Sequence, residues 1–164
     1  MTEERTRPAT WDDVLDVLGK LEAHAVEHAL IGGYALAAHG LVRMSEDVDV
    51  LVAPDVENTK RWVSALSELP DHAAAELEGA EASLWEGEGP LAVRINDVIT
   101  IDVMASACGH SWAELAPMIE RKRVADRTIR VLTLEGLLLT KEGMRDKDRA
   151  DARVLRLLLE RLKP

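Results

Sequence analysis

The sequence predicts an α+β (mixed α/β) chain, and three observations predict it. Apolar residues recur at helical spacing in several stretches, at Trp11-Val14-Leu15-Leu18-Leu21 for example. Short runs rich in Val, Ile and Leu have strand character, as in Val48-Asp49-Val50-Leu51-Val52. The two kinds of segment interleave along 164 residues, 47% of them hydrophobic. That length suits a single domain with a real core, here about residues 10–132 followed by closing C-terminal helices over about 133–162. The composition excludes a disordered chain, and no apolar run approaches a membrane span.

Taken in order, Thr10 and Asp13 form a cap signal that opens the first helix. His24 and His28 lie four apart near its end, a spacing that can bind metal on a helix. No Glu stands between them in the zinc-protease pattern, so they read as surface histidines. Residues 29–31 form a short strand that runs into Gly32-Gly33. Tyr34 to His39 suits a short helix closed by Gly40. Residues 47–52 read as a strand, and Pro54-Asp55 begins a helix that buries Val56, Trp62, Val63, Leu66 and Leu69 before Pro70. The acidic stretch 71–89 reads as a loop or edge strand. Leu91–Ile95 and Val98–Val103 flank Asn96-Asp97 as a β-hairpin. Ser111 to Lys122 reads as a helix that Pro117 interrupts or delays, and Val124 to Leu132 as a strand. Thr133–Met144 and Asp148–Leu162 are the two closing helices.

Charge is unevenly distributed. The chain carries −10 overall. Residues 1–119 hold 7 basic and 22 acidic side chains, a net of −15, whereas residues 120–164 hold 13 basic and 8 acidic, a net of +5. Such a chain is a poor candidate for nonspecific duplex DNA binding, which depends on phosphate neutralisation. The basic C-terminal part is either an ordinary solvated helix surface or a face for polyphosphate or structured RNA. The first ten residues lack the apolar core of a signal peptide, and the lone Cys108 permits no internal disulfide. Both point to the cytoplasm.

The chemistry concentrates in acidic strand residues. Side chains alternate along a strand, so Asp47, Asp49 and Leu51 share one face while Val48, Val50 and Val52 share the other. In the hairpin, Ile99, Ile101 and Val103 face one way and Thr100, Asp102 and Met104 the other. A lone strand Asp is commonly an edge charge or an ion-pair partner. Three in matching positions, on neighbouring strands in register, would converge on one exposed face. Carboxylates so placed repel unless something positive lies between them, and a hard cation such as Mg²⁺ (or Mn²⁺) answers that need. Two-metal sites use such carboxylates for phosphoryl chemistry. Gly32-Gly33 then offers a cradle for phosphate, since glycine lets backbone N–H groups approach an anion and a helix opens just beyond.

Ile31-Gly32-Gly33, then Asp47-Val48-Asp49, then Asp102 resembles the signature of the nucleotidyltransferase superfamily with a polymerase-β-like palm. The stretch with His39-Gly40, Arg43, Ser45 and Asp47 looks most like the bacterial AbiEii-type and small antibiotic-type nucleotidyltransferases. Those often have Arg-x-Thr-x-Asp, with Ser for Thr here. Leu134-Glu135-Gly136-Leu137, Lys141, Arg145, Lys147-Asp148 and Asp151 resemble their closing helices. The resemblance implies a nucleotidyltransferase fold, with a mixed β-sheet flanked by helices, and transfer of a nucleoside monophosphate from an NTP to a hydroxyl.

By the same resemblance Asp47 and Asp49 would hold both metals. Asp102 would complete the catalytic metal site and help deprotonate the acceptor. Gly32 and Gly33 would bind β- and γ-phosphate oxygens. Lys141 and Arg145, four apart on one helix face, would reach the triphosphate or form an exposed basic pair. Arg43 would touch phosphate, orient the carboxylates or pair with Asp47, and Tyr34 would stack on a base or pack. Cys108 and His110 are near each other only in sequence.

Many such enzymes carry an acceptor-binding domain that 164 residues cannot hold, so tRNA, a protein side chain and a small molecule all remain as acceptors. The expected roles are toxin of a toxin–antitoxin pair, with an antitoxin or helical partner subunit, or resistance enzyme. The alternative is a catalytically weak nucleotide-binding subunit of a two-component or regulatory assembly.

Overall fold

The computed structural model describes residues 6–41, 45–86, 92–141 and 146–162. Helix α1 (Trp11–Ala23) begins at a complete capping box. The Thr10 hydroxyl accepts from the Asp13 N–H, and the Asp13 carboxylate accepts from the Thr10 N–H. Its apolar stripe, Val14, Val17, Leu18 and Leu21, is buried. Strand β1 (His28–Ile31) leads directly into α2 (Gly32–Ala38). Strand β2 (Val48–Val52) and helix α3 (Val56–Leu66) follow, with α3 capped by Asp55 and packed on α1.

Strands β3 (Val93–Asn96) and β4 (Thr100–Met104) form a hairpin as expected, but Asn96 pairs with Thr100 inside the ladder, so the turn lies at residues 97–99 rather than at Asn96-Asp97. The 71–86 segment is neither loop nor edge strand throughout, because a 3₁₀ turn spans Ala73–Leu77. Asp97, in the hairpin turn and 3% exposed, ties that segment down. Its carboxylate accepts from the Asp71 N–H at 2.9 Å and the Ala73 N–H at 3.0 Å.

The region after β4 departs most from expectation. A small hairpin, β5 (Ser106–Ala107) and β6 (His110–Ser111), precedes a single helical turn α4 (Trp112–Leu115) and a 3₁₀ turn at Ala116–Met118. Ser111 caps α4 as its sequence suggests. Pro117 then removes an N–H and crowds the preceding turn, so the helix does not continue to Lys122. Residues Ile119–Val124 instead form β7, paired with β8 (Arg127–Leu132) through a tight turn at Ala125-Asp126. Ala125 takes a positive φ of 56° there. Helix α5 (Leu134–Leu139), capped by the Thr133 hydroxyl, and helix α6 (Asp146–Leu162) close the chain.

The main sheet has six strands in the order β3-β4-β2-β1-β8-β7. β2/β4 and β1/β8 pair parallel, and the other neighbours pair antiparallel. Register places Leu30, Val48, Val50, Ile101, Val103 and Val131 on one face, each at most 1% exposed. At about 1.5–3 kcal/mol for each such side chain, this face contributes a substantial part of the driving force for folding. Helix α5 packs on α6 and α2. Among the described residues no helix is long and apolar enough to cross a membrane.

Candidate active site

Strand register assembles the opposite face of the sheet residue by residue. Ile31 lies across from Asp49, Asp49 across from Asp102, and Asp102 across from Arg94. One row therefore crosses four strands and carries two carboxylates and a guanidinium. Asp49 and Asp102 are partly buried, on strands whose other faces are fully apolar. Asp47 lies just before β2, with the same alternation as Asp49. The Ser45 hydroxyl donates to the Asp47 carbonyl at 3.1 Å and shapes the approach to that strand.

Gly32 closes the row from the β1 side. Its φ is +75°, in the left-handed region where a side chain is strained. A Cβ there would stand 2.9 Å from the Asp49 Cγ and 3.0 Å from its Cβ. Glycine is thus required twice, for the turn of the backbone and for the space that the Asp49 carboxylate fills. The helix it opens, α2, has no side-chain cap at its N-terminus.

Arg94 is the residue that sequence reasoning missed. Its Nε donates to Asp102 Oδ1 at 2.9 Å and its Nη2 to Asp102 Oδ2 at 3.1 Å, a two-pronged grip. Nη2 also lies 3.7 Å from Asp47 Oδ2. The Asp102 hydrogen bond, then the charges of Asp102, Asp47 and Asp49, hold the guanidinium protonated even more firmly than usual. A two-residue turn at Asn96-Asp97 sets Arg94 across from Ile99 and hides it, whereas the loop actually spans residues 97–99 and sets Arg94 directly opposite Asp102.

The donor set is chemically suited to a hard cation, being carboxylate oxygens only, and a cationic group already stands among them. In this arrangement, among the described residues, no three His, Cys, Asp or Glu side chains are grouped closely enough to enclose a metal ion.

The remaining candidates are distributed differently. Lys141, just after α5, lies 3.3 Å from the Asp151 carboxylate on α6, with side chains 11% and 10% exposed. That replaces the exposed basic pair with a largely buried ion pair. Arg43 and Arg145 lie outside the described residues. Tyr34 packs: it is buried, its hydroxyl donates to the Ala9 carbonyl, and its ring meets Trp11 edge-on at 5.0 Å. His24 pairs with Glu68 at 2.7 Å. His28 is buried rather than on the surface, with Nδ1 2.8 Å from the Val26 carbonyl, and burial pushes its pKa down. His110 pairs with Glu114 and Cys108 is exposed in the β5–β6 turn, so neither forms a reactive couple.

This fold has counterparts among solved structures. The lincosamide antibiotic adenylyltransferase LnuA, with lincomycin bound, superposes with a TM-score of 0.60 at 17% identity, covering 91% of this chain and 98% of that one. The antibiotic-resistance factor ANT(2'')-Ia superposes with a TM-score of 0.57 at 15% identity, covering 89% and 82%. At such identities these likenesses establish the fold alone, and it is the nucleotidyltransferase fold. No curated protein sequence matches. A family model described as "Nucleotidyl transferase AbiEii toxin, Type IV TA system" matches residues 16–142, a span that contains Gly32, Asp47, Asp49, Arg94, Asp102 and Lys141. On that match the chain belongs to the AbiEii nucleotidyltransferase toxin family.

Proposed function

We propose that this chain is a divalent-cation-dependent nucleotidyltransferase that moves a nucleoside monophosphate from an NTP to a hydroxyl acceptor, acting as the toxin of a toxin–antitoxin pair. The observation that carries the reading is the row in which Asp49 faces Asp102 with Gly32 pressed against the Asp49 carboxylate. Asp47, Asp49 and Asp102 would hold Mg²⁺ or Mn²⁺. When bound, the cation supplies neutralisation of phosphate charge and a more acidic acceptor hydroxyl.

The chain's own groups do the rest. Asp102 takes the proton of the acceptor hydroxyl. The acceptor oxygen forms a bond to the α-phosphorus as the bond to the bridging oxygen breaks, and pyrophosphate leaves with that oxygen. The backbone N–H groups of Gly32 and Gly33, at the uncapped start of α2, bind β- and γ-phosphate oxygens. Arg43 and Arg145 would supply positive charge to the triphosphate, and Lys141 would do so on releasing the Asp151 carboxylate that now holds it. An antitoxin is the proposed partner, and the acceptor class is tRNA, a protein hydroxyl or a small molecule.

Incubation with each α-labelled NTP, Mg²⁺ or Mn²⁺ and a cell extract tests this, since it reports donor and acceptor together. Label should appear on one acceptor class, and chelator should abolish it. The second reading, a catalytically weak nucleotide-binding subunit, is favoured by the Arg94 grip on Asp102. It predicts nucleotide binding with no labelled product from any NTP, and that outcome would overturn the enzyme.

A further inference from the structure

We propose that Arg94 sets the divalent-cation affinity of this site: its guanidinium is a built-in competitor that occupies Asp102 until a cation displaces it. The inference rests on the metal reading above and deepens it.

Three observations carry it. First, the grip uses both oxygens of Asp102, at 2.9 and 3.1 Å, so each already accepts a charged hydrogen bond. Second, the same guanidinium lies 3.7 Å from Asp47 and feels the charge of Asp49. It therefore neutralises the cluster that a cation would neutralise, and the two compete for the same oxygens of Asp102. Third, Arg94 is on β3, the edge strand of the sheet, with its side chain 60% exposed. An exposed arginine can leave without opening the core, because water replaces its lost hydrogen bonds. The contact is thus strong in geometry and exchangeable in energy.

The consequence follows from mass action. If the cation-competent form is the one with Arg94 released, apparent affinity falls by the fraction of molecules in that form. A two-pronged pair that is formed in roughly 70–90% of molecules weakens cation binding about three- to tenfold.

The test is Mn²⁺ binding to nucleotide-free protein, followed by the paramagnetic signal of free Mn²⁺, with Arg94→Gln and Arg94→Lys. Arg94→Gln should bind Mn²⁺ about three to ten times more tightly than wild type. Arg94→Lys keeps the charge and loses the planar fork, so it should fall between them. As a second readout, Arg94→Gln should melt lower than wild type in chelator and gain more from added Mg²⁺. Wild type that binds Mn²⁺ as tightly as Arg94→Gln would overturn the inference and leave the metal site standing. Tighter binding in Arg94→Gln with Arg94→Lys equal to wild type would also overturn it, since charge alone would then explain the gain. Failure of every variant to bind Mn²⁺ would overturn the metal reading and this inference with it.

Discussion

Two Arg–Asp pairs in this chain have nearly the same form and opposite surroundings. Arg7 grips Asp13 with two hydrogen bonds of 2.6 and 2.7 Å, and Arg94 grips Asp102 with two of 2.9 and 3.1 Å. Both arginines are well exposed, 53% and 60%, and both carboxylates nearly covered, 15% and 14%. Beyond the arginine they differ. Asp13 Oδ2 also accepts from the Thr10 N–H at 2.8 Å and the Thr10 hydroxyl at 3.0 Å, so backbone holds it from behind. Asp102 has Asp49 directly across the strand and shares its arginine with Asp47. One carboxylate is saturated with donors and locks a helix start. The other sits among like charges and shares its arginine with one of them. Hydrogen-bond geometry alone does not separate a structural pair from a functional one; the neighbours of the carboxylate do.

The largest effect should come from making the same substitution in both pairs. Asp102→Asn keeps the shape and removes the charge that, in the proposed mechanism, stabilises the developing alkoxide. Losing one such electrostatic contact typically lowers rate on the order of 10²–10³. Nucleotide with Mg²⁺ should still bind within a few-fold, because an interaction used in the transition state adds little to ground-state affinity. Asp13→Asn should leave turnover untouched and lower the melting temperature. Equal transfer by wild type and Asp102→Asn would make Asp102 a bystander and collapse the distinction.

A smaller effect is expected from the other end of the carboxylate row. Gly32→Ala puts a Cβ at a φ of +75° and within 3 Å of Asp49 atoms. Holding a side chain in that region costs about 1–3 kcal/mol. For a chain of this size that lowers the melting temperature by roughly 3–10 °C. Asp49 must also shift, so turnover should fall further than stability alone accounts for, measured well below the melting point. A Gly32→Ala protein with full turnover would show that Asp49 need not keep its place.

These contrasts mark what the sequence could and could not disclose. Strict alternation made Asp49 and Asp102 legible, since buried valines and isoleucines fix which face each carboxylate takes. Asn96-Asp97 announced one hairpin through its turn chemistry, though Asn96 itself joins the ladder and the turn falls at residues 97–99. Ala125-Asp126 concealed another, because an alanine at positive φ is not a turn signal and its strands were absorbed into a helix and a longer strand. Arg94 escaped because a two-residue turn at Asn96-Asp97 sets it across from Ile99, and only the longer 97–99 loop sets it across from Asp102. Lys141 shows the converse limit. Helical spacing set it beside Arg145, while its recorded partner, Asp151, comes from the next helix, which no local periodicity specifies.

The smallest expected effect probes the structural member of the comparison by pH. Arg7, first, together with the Thr10 donors, holds the Asp13 carboxyl down to about 2 against an ordinary 3.8. A carboxyl depressed on folding stabilises the native state wherever it is ionised in both states, so the contribution is complete above pH 3.8. As pH falls from there toward about 2 the unfolded chain takes up the proton first, and the advantage drains away. Asp13→Asn has no such proton to gain. Melting curves of wild type and Asp13→Asn should therefore lie apart at pH 5 and draw together by pH 2, with wild type carrying the steeper acid limb. The exposed arginine is partly screened by solvent, which keeps the gap modest and makes it shrink with added salt. A gap that persists unchanged to pH 2 would mean that shape rather than charge secures the cap. The resemblance between the two Arg–Asp pairs would then end at their bond lengths.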